Sequence, residues 1–139
     1  MSGFSRDTIV RFEHCDPAGF MFYPRFFALV NEMVEDWFAG PLACSFKTLH
    51  IGRRKGVPTV RLDAEFVRPA RIGDVLAQDL RVAQLGGASC RLRHQARVAG
   101  ETIARFNHTI VYVDLGSMKP EPWPQDLRAA MATFTEPAP

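Results

Sequence analysis

Cysteine is scarce. Cys15, Cys44 and Cys90 are widely spaced and odd in number, so neither a complete disulfide framework nor a Cys-x-x-Cys metal knuckle can be drawn from them. That usage fits a reducing cytoplasm. Long apolar runs are missing too. No stretch approaches the roughly 20 apolar residues needed to span a bilayer, and Met1 to Thr8 hold no apolar signal core. Neither export nor membrane insertion is expected. Charge of one sign is also absent: 17 Lys and Arg against 15 Asp and Glu leave a formal +2, without the strong basic field of a dedicated nucleic-acid binder. The densest basic run, Arg53-Arg54-Lys55, is short. Internal repeats and low-complexity segments are not seen.

What the chain has is ordinary globular composition, with 47% apolar and 23% charged residues among 139. That suffices for one core but not for two comfortable ones, so a single domain over residues 1–139 is expected. Its ordered core would cover residues 8–114, followed by a Pro-rich extension over 116–139. Residues 8–12 alternate as a strand and run into His14-Cys15-Asp16-Pro17-Ala18-Gly19, where Asp-Pro and Gly mark a loop. Pro24 suits the first turn of a helix, and Gly40-Pro41 stops it, so α1 is predicted over residues 25–38. Its apolar positions Phe26, Phe27, Leu29, Val30, Met33, Val34, Trp37 and Phe38 leave only Asn31, Glu32, Glu35 and Asp36 for a polar face. Such a helix has to be wrapped.

After an ambiguous stretch with a short helix near residues 46–49, four strand-like runs follow at 59–68, 75–85, 89–98 and 101–114. The turns between the later ones, Gly86-Gly87 and Ala99-Gly100, are short and imply antiparallel pairing. The expectation is an α+β domain, an antiparallel sheet of about five strands around one long helix, whose edges favour subunit pairing. A further short helix is expected over residues 125–131, with fraying beyond it.

The chemistry centres on residues 12–24, which set Asp16 in a tight loop just before a buried helix. Free N–H groups at a helix start accept negative charge. A thioester carbonyl with its oxygen on such donors would be polarised as the tetrahedral oxyanion forms, while Asp16 attacks the carbonyl or activates water. Gly19 would allow close backbone approach. The plainer alternative makes Asp16 a turn or capping residue before Pro17.

Asp16-Pro17-Ala18-Gly19, a short apolar run and Tyr23-Pro24 resemble the active-site signature of the 4-hydroxybenzoyl-CoA thioesterase family of the hotdog superfamily. Gly56-Val57-Pro58-Thr59-Val60, Ala64-Glu65-Phe66-Val67-Arg68-Pro69-Ala70 and Gly73-Asp74-Val75-Leu76 resemble the family's second and third strands. The likeness covers roughly residues 8–114. It implies a hotdog-fold acyl-CoA thioesterase in which Asp16 is the essential carboxylate and the main-chain amide at Tyr23 polarises the carbonyl. Gly19 would act through its backbone, and Phe22, Pro24, Arg91 and Arg93 would contact substrate. It further implies a homodimer or homotetramer with part of each pocket drawn from a neighbour, and neither a metal nor a redox cofactor, coenzyme A entering as part of the substrate. One departure stands out. Where aromatic-substrate members carry a basic run before a Ser, this chain has Gly86-Gly87-Ala88-Ser89. Either Arg53, Arg54, Lys55, Arg91 or Arg93 substitutes, or the carrier is not coenzyme A, an acyl carrier protein with its acidic surface being one alternative.

Other candidates have plainer readings. His14, Cys15 and Asp16 lack a second ligand pair with zinc spacing. His50, His94 and His108 are isolated, His94 being the least improbable general base. Glu32, Glu35 and Asp36 are read as a solvated or subunit-facing stripe, and Asp63 with Glu65 as a solvent- or partner-facing pair. The rival functions are a hotdog hydratase or dehydratase, which would need a His with a carboxylate, and a non-catalytic acyl-thioester-binding protein.

Overall fold

The computed structural model describes residues 3–137. Five strands, β1 (Phe4–Ile9), β3 (Thr59–Phe66), β4 (Val75–Leu85), β5 (Ser89–Val98) and β6 (Glu101–Val111), form one antiparallel sheet in the order β1-β4-β5-β6-β3. A two-stranded ribbon pairs β2 (Lys55–Gly56) with β7 (Val113–Asp114). The sheet curls around α1 (Pro24–Ala39), and α2 (Gln125–Ala132) caps one end. The expected α+β hotdog architecture is what forms.

The helix explains the wrapping. Phe26, Leu29, Val30, Met33, Val34, Trp37 and Phe38 are all buried, while Asn31, Glu32, Glu35 and Asp36 are exposed. Each such apolar side chain contributes about 1.5–3 kcal/mol on burial. The sheet answers with every second residue. Leu76, Gln78, Leu80 and Val82 of β4, Cys90, Leu92, His94 and Ala96 of β5, and Ala104, Phe106, His108 and Ile110 of β6 are buried, as a period of two requires.

The strands β4 and β5 have their expected bounds, but the first strand differs. It spans Phe4–Ile9, and residues 12–14 form a 3-10 turn. The alternation was hidden because two of the half-buried positions are polar. Arg6 reaches Gln78 Oε1 at 3.3 Å, Glu32 at 3.0 Å and Asp36 at 2.5 Å, and Thr8 Oγ1 donates to Gln78 Oε1 at 2.6 Å. These bonds satisfy groups that would otherwise be costly to bury. The last long run also splits, because Tyr112 N–H leaves the sheet to bond Ala88 O at 2.8 Å. Beyond α2 the chain does not fray through Glu136: Val82 N–H donates to Phe134 O, and Glu136 N–H donates to Val82 O, both at 2.9 Å.

Candidate active site

Between the 3-10 turn and α1 the chain folds back on itself as a short hairpin. Phe22 N–H donates to His14 O and Asp16 N–H to Phe20 O, each at 2.8 Å, and Cys15 pairs antiparallel with Met21. Asp16-Pro17-Ala18-Gly19 is its tip. Gly19 has φ +82°, a left-handed conformation that side chains with a Cβ resist. Its N–H closes the turn on Asp16 O at 3.0 Å.

The two readings of Asp16 turn out to use different oxygens. Oδ1 accepts the N–H groups of Ala18 at 2.9 Å and Phe20 at 3.2 Å, which fastens the turn. Oδ2 has no hydrogen-bond partner among the described residues. A structural anchor and an open carboxylate oxygen thus coexist in one side chain.

The hairpin is docked on the β3–β4 connection. Met21 N–H bonds Ala70 O at 2.8 Å and Ile72 N–H bonds Gly19 O at 3.0 Å, while the Arg71 guanidinium lies 5.2 Å from the centre of the Phe20 ring. Pro24 then opens α1 with Tyr23 as the capping residue. Arg25 N–H turns back to Phe22 O and Phe26 N–H to Tyr23 O. The Tyr23 N–H has no partner among the described residues, and it lies at the positive end of the helix dipole.

Against this helix start lies a cleft of about 310 Å³ lined by Met21, Tyr23, Phe26, Phe66, Val67, Arg68 and Pro69. Within one chain Asp16, Gly19, Phe22 and Pro24 do not line it; Phe22 is half exposed, with its ring 5.6 Å from that of Tyr23. A larger groove of about 410 Å³ runs between β1 and α1, lined by Arg6, Thr8, Ile9, Arg11, His14 and Glu32 among others. Its Arg6 is already bound by Glu32 and Asp36. The smaller cleft, not the larger, meets a helix start with a free donor.

Arg91 and Arg93 are not brought to that cleft. They alternate with buried Leu92 and His94, so they project from the face of the sheet turned away from α1. Arg93 is paired with Glu136 at 3.0 Å. Of the other basic candidates, Arg53 binds Asp126 at 2.7 Å, and Lys55 binds Glu121 at 2.7 Å and Asp114 at 2.9 Å. Those two bonds raise the Lys55 ammonium above its usual range, and the Lys55 bond, followed by the Ser117 N–H, pulls Asp114 down to about 2. The Gly86–Ser89 turn is fastened from the C-terminal side, with Trp123 N–H on Gly87 O at 2.9 Å and Arg128 on Gly86 O at 2.7 Å.

One buried polar chain was missed from sequence. Thr59 Oγ1 lies 2.7 Å from His108 Nε2, and His108 Nδ1 lies 3.3 Å from His94 Nε2. Desolvation, reinforced for His94 by the neighbouring His108, pushes His94 down to about 3, and desolvation pushes His108 down to about 4. Both imidazoles are therefore neutral at pH 7. The signal was available, since alternation through Leu92 and Phe106 turns both histidines inward. His94 has a histidine neighbour, not a carboxylate, whereas His14 Nε2 lies 3.8 Å from Glu13 Oε1. Among the described residues no group of three or more His, Cys, Asp or Glu is placed to hold a metal ion.

Known proteins share this fold. The model of the Thioesterase-like superfamily matches residues 10–131, and the chain belongs to that superfamily. It is a hotdog-fold thioesterase. Comparison with curated protein sequences gives no match. Among solved structures, a thioesterase-superfamily protein from Jannaschia sp. superposes with a TM-score of 0.90 at 24% identity, covering 98% of this chain and 95% of that one. A 1,4-dihydroxy-2-naphthoyl-CoA thioesterase from Synechocystis gives 0.84 at 22% identity over 97% and 99% of the two chains. A Thermus thermophilus thioesterase solved with coenzyme A and Zn gives 0.79 at 24% identity over 96% of each. At these identities the likeness establishes the fold.

Proposed function

We propose that the protein hydrolyses acyl-CoA thioesters with aromatic or short- to medium-chain acyl groups, releasing the free acid and coenzyme A. The observation that carries this is the hairpin itself, which joins a turn-fastened carboxylate with one open oxygen to an unbonded amide at the start of α1. Tyr23 N–H would hold the carbonyl oxygen and stabilise the oxyanion, and Asp16 would act on the carbonyl carbon. In one route Asp16 takes a proton from water as that water attacks, and the tetrahedral intermediate expels coenzyme A thiolate. In the other the carboxylate attacks, thiolate leaves, and water cleaves the resulting mixed anhydride. A thiol leaving group, with a pKa near 8.5, makes either route undemanding. Coenzyme A is part of the substrate, and the scheme needs no further cofactor.

The working unit in this reading is a homo-oligomer. Strand β3 is a sheet edge, and every residue from Thr59 to Phe66 except Leu62 is exposed. A long exposed edge is a template for pairing, and a second copy there would lie beside Phe66 at the cleft. The Lys55 and Arg53 ion pairs and the fastened Gly86–Ser89 turn leave Arg54 and Arg91 as the candidate carrier contacts.

Thiol release from a panel of aliphatic and aromatic acyl-CoAs, comparing wild type with Asp16→Asn, tests the reading. Turnover that collapses in a folded mutant of unchanged oligomeric state is expected. Undiminished turnover in Asp16→Asn would sink the site. Turnover confined to acyl carrier protein thioesters would replace coenzyme A as carrier.

A further inference from the structure

We infer that Phe66 sets the depth of the acyl pocket, restricting the enzyme to compact acyl groups, short-chain or single-ring, and excluding long fatty acyl chains. This rests on the proposed thioesterase reading of the same site. The cleft of about 310 Å³ shares Tyr23 with the free amide, so an acyl group whose carbonyl is held there points into that cleft. Its inner wall is buried, with Phe26 5% and Met21 7% exposed, whereas Phe66, at the end of the edge strand, is 43% exposed.

The back of the cleft is closed by rings. Phe66, the last residue of β3, lies between α1 and β6, with ring centres 5.9 Å from Tyr23, 5.6 Å from Phe26, 6.2 Å from Phe27 and 5.9 Å from Phe106. Behind Phe26 and Phe106 a void lined also by Leu29, Val30, Leu76 and His94 measures about 10 Å³. That is about the room of one water. That void is too small to take an acyl chain onward into the core. An acyl group longer than the cleft meets aromatic rings in close packing, and displacing them is unfavourable. Truncating Phe66 removes the ring that touches all four others and extends the cleft toward Phe106 and Phe27.

The test measures kcat/KM for benzoyl-, hexanoyl- and dodecanoyl-CoA with the full chain, in wild type, Phe66→Ala and Phe66→Leu. Wild type should favour the two compact substrates over dodecanoyl-CoA. Phe66→Ala should shift the dodecanoyl-to-benzoyl ratio upward at least about tenfold, the scale on which apolar pockets discriminate, with Phe66→Leu between. A merely structural role would lower all three substrates together. A ratio unchanged within about twofold, while turnover persists and still depends on Asp16, overturns this inference and leaves the thioesterase reading intact. Should no acyl-CoA turn over, calorimetry with the non-hydrolysable thioethers S-hexyl- and S-dodecyl-CoA decides it. The same swap of preference in Phe66→Ala supports the pocket, and equal affinities, or no binding, overturn it.

Discussion

The two ends of α1 are built to opposite specifications. At its C-terminal end Trp37 and Phe38 are fully buried with Leu49, Trp123, Leu127 and Met131, sealed by α2 and by the tail that bonds Val82. At its N-terminal end Tyr23 and Phe66 stand half exposed over a cleft, and among the described residues the Tyr23 amide and one Asp16 carboxylate oxygen have no partner. The difference teaches how the molecule divides its work. Packing is concentrated at the closed end, where even the Trp37 indole N–H is buried without a partner among the described residues, while the other end leaves polar groups unpaired and apolar groups open to water.

The sharpest way to break the contrast is to open the sealed end. Removing residues 123–139 deletes Trp123, Leu127 and Met131 from the core, and loss of cooperative unfolding in urea is expected. Phe38→Ala should cost about 3–5 kcal/mol, read as a lower urea midpoint, with kcat/KM of the still-folded protein close to wild type. The open end should answer in the reverse sense. Asp16→Asn is expected to lower kcat about 10²–10⁴-fold, the range for loss of a positioned acid or base, with a thermal midpoint little changed because Oδ1 still accepts the two turn bonds.

Between the two ends lies the histidine pair, and it yields a pH signature. His94 and His108 are held at about 3 and about 4 in the fold, against 6.5 unperturbed. Above pH 6.5 neither the folded nor the unfolded chain binds these protons. Below it the unfolded chain takes them up and the fold does not, so stability falls as pH drops from about 6.5 toward 4 and levels off below the folded values. Urea titrations at pH 7 and pH 4.5 should differ by at least about 1.4 kcal/mol, one pKa unit's worth. His94→Gln should flatten that slope. The smallest effect is the most diagnostic: if Tyr23 serves through its main chain, Tyr23→Phe should leave kcat/KM within about threefold, the scale of an ordinary surface change.

Much of the fold was legible because local patterns reported global burial. The period of two through residues 75–98 and the broad apolar coverage of α1 gave β4, β5 and the helix close to their observed bounds. The first strand was not legible, since its inward Arg6 and Thr8 imitate a surface until Gln78, Glu32 and Asp36 are seen around them. The tail was legible in part: its helix forms where it was expected, over Gln125–Ala132, but its role in the core was not. Trp123, Leu127 and Met131 look like sparse apolar residues in a Pro-rich extension, and only the end of α1 supplies the surface they cover.

For the site, the sequence by itself determined the turn and the helix start: Asp16-Pro17-Ala18-Gly19 and Pro24 encode a tight turn running into a helix, because their backbone preferences are local. Only the tertiary structure decided what that turn faces. It separated the two oxygens of Asp16, carried Phe66 from more than forty residues away to close the cleft, and turned Arg91 and Arg93 to the other face of the sheet. Those outcomes depend on strand register and on which side of a sheet the helix packs, and no short stretch of sequence contains either.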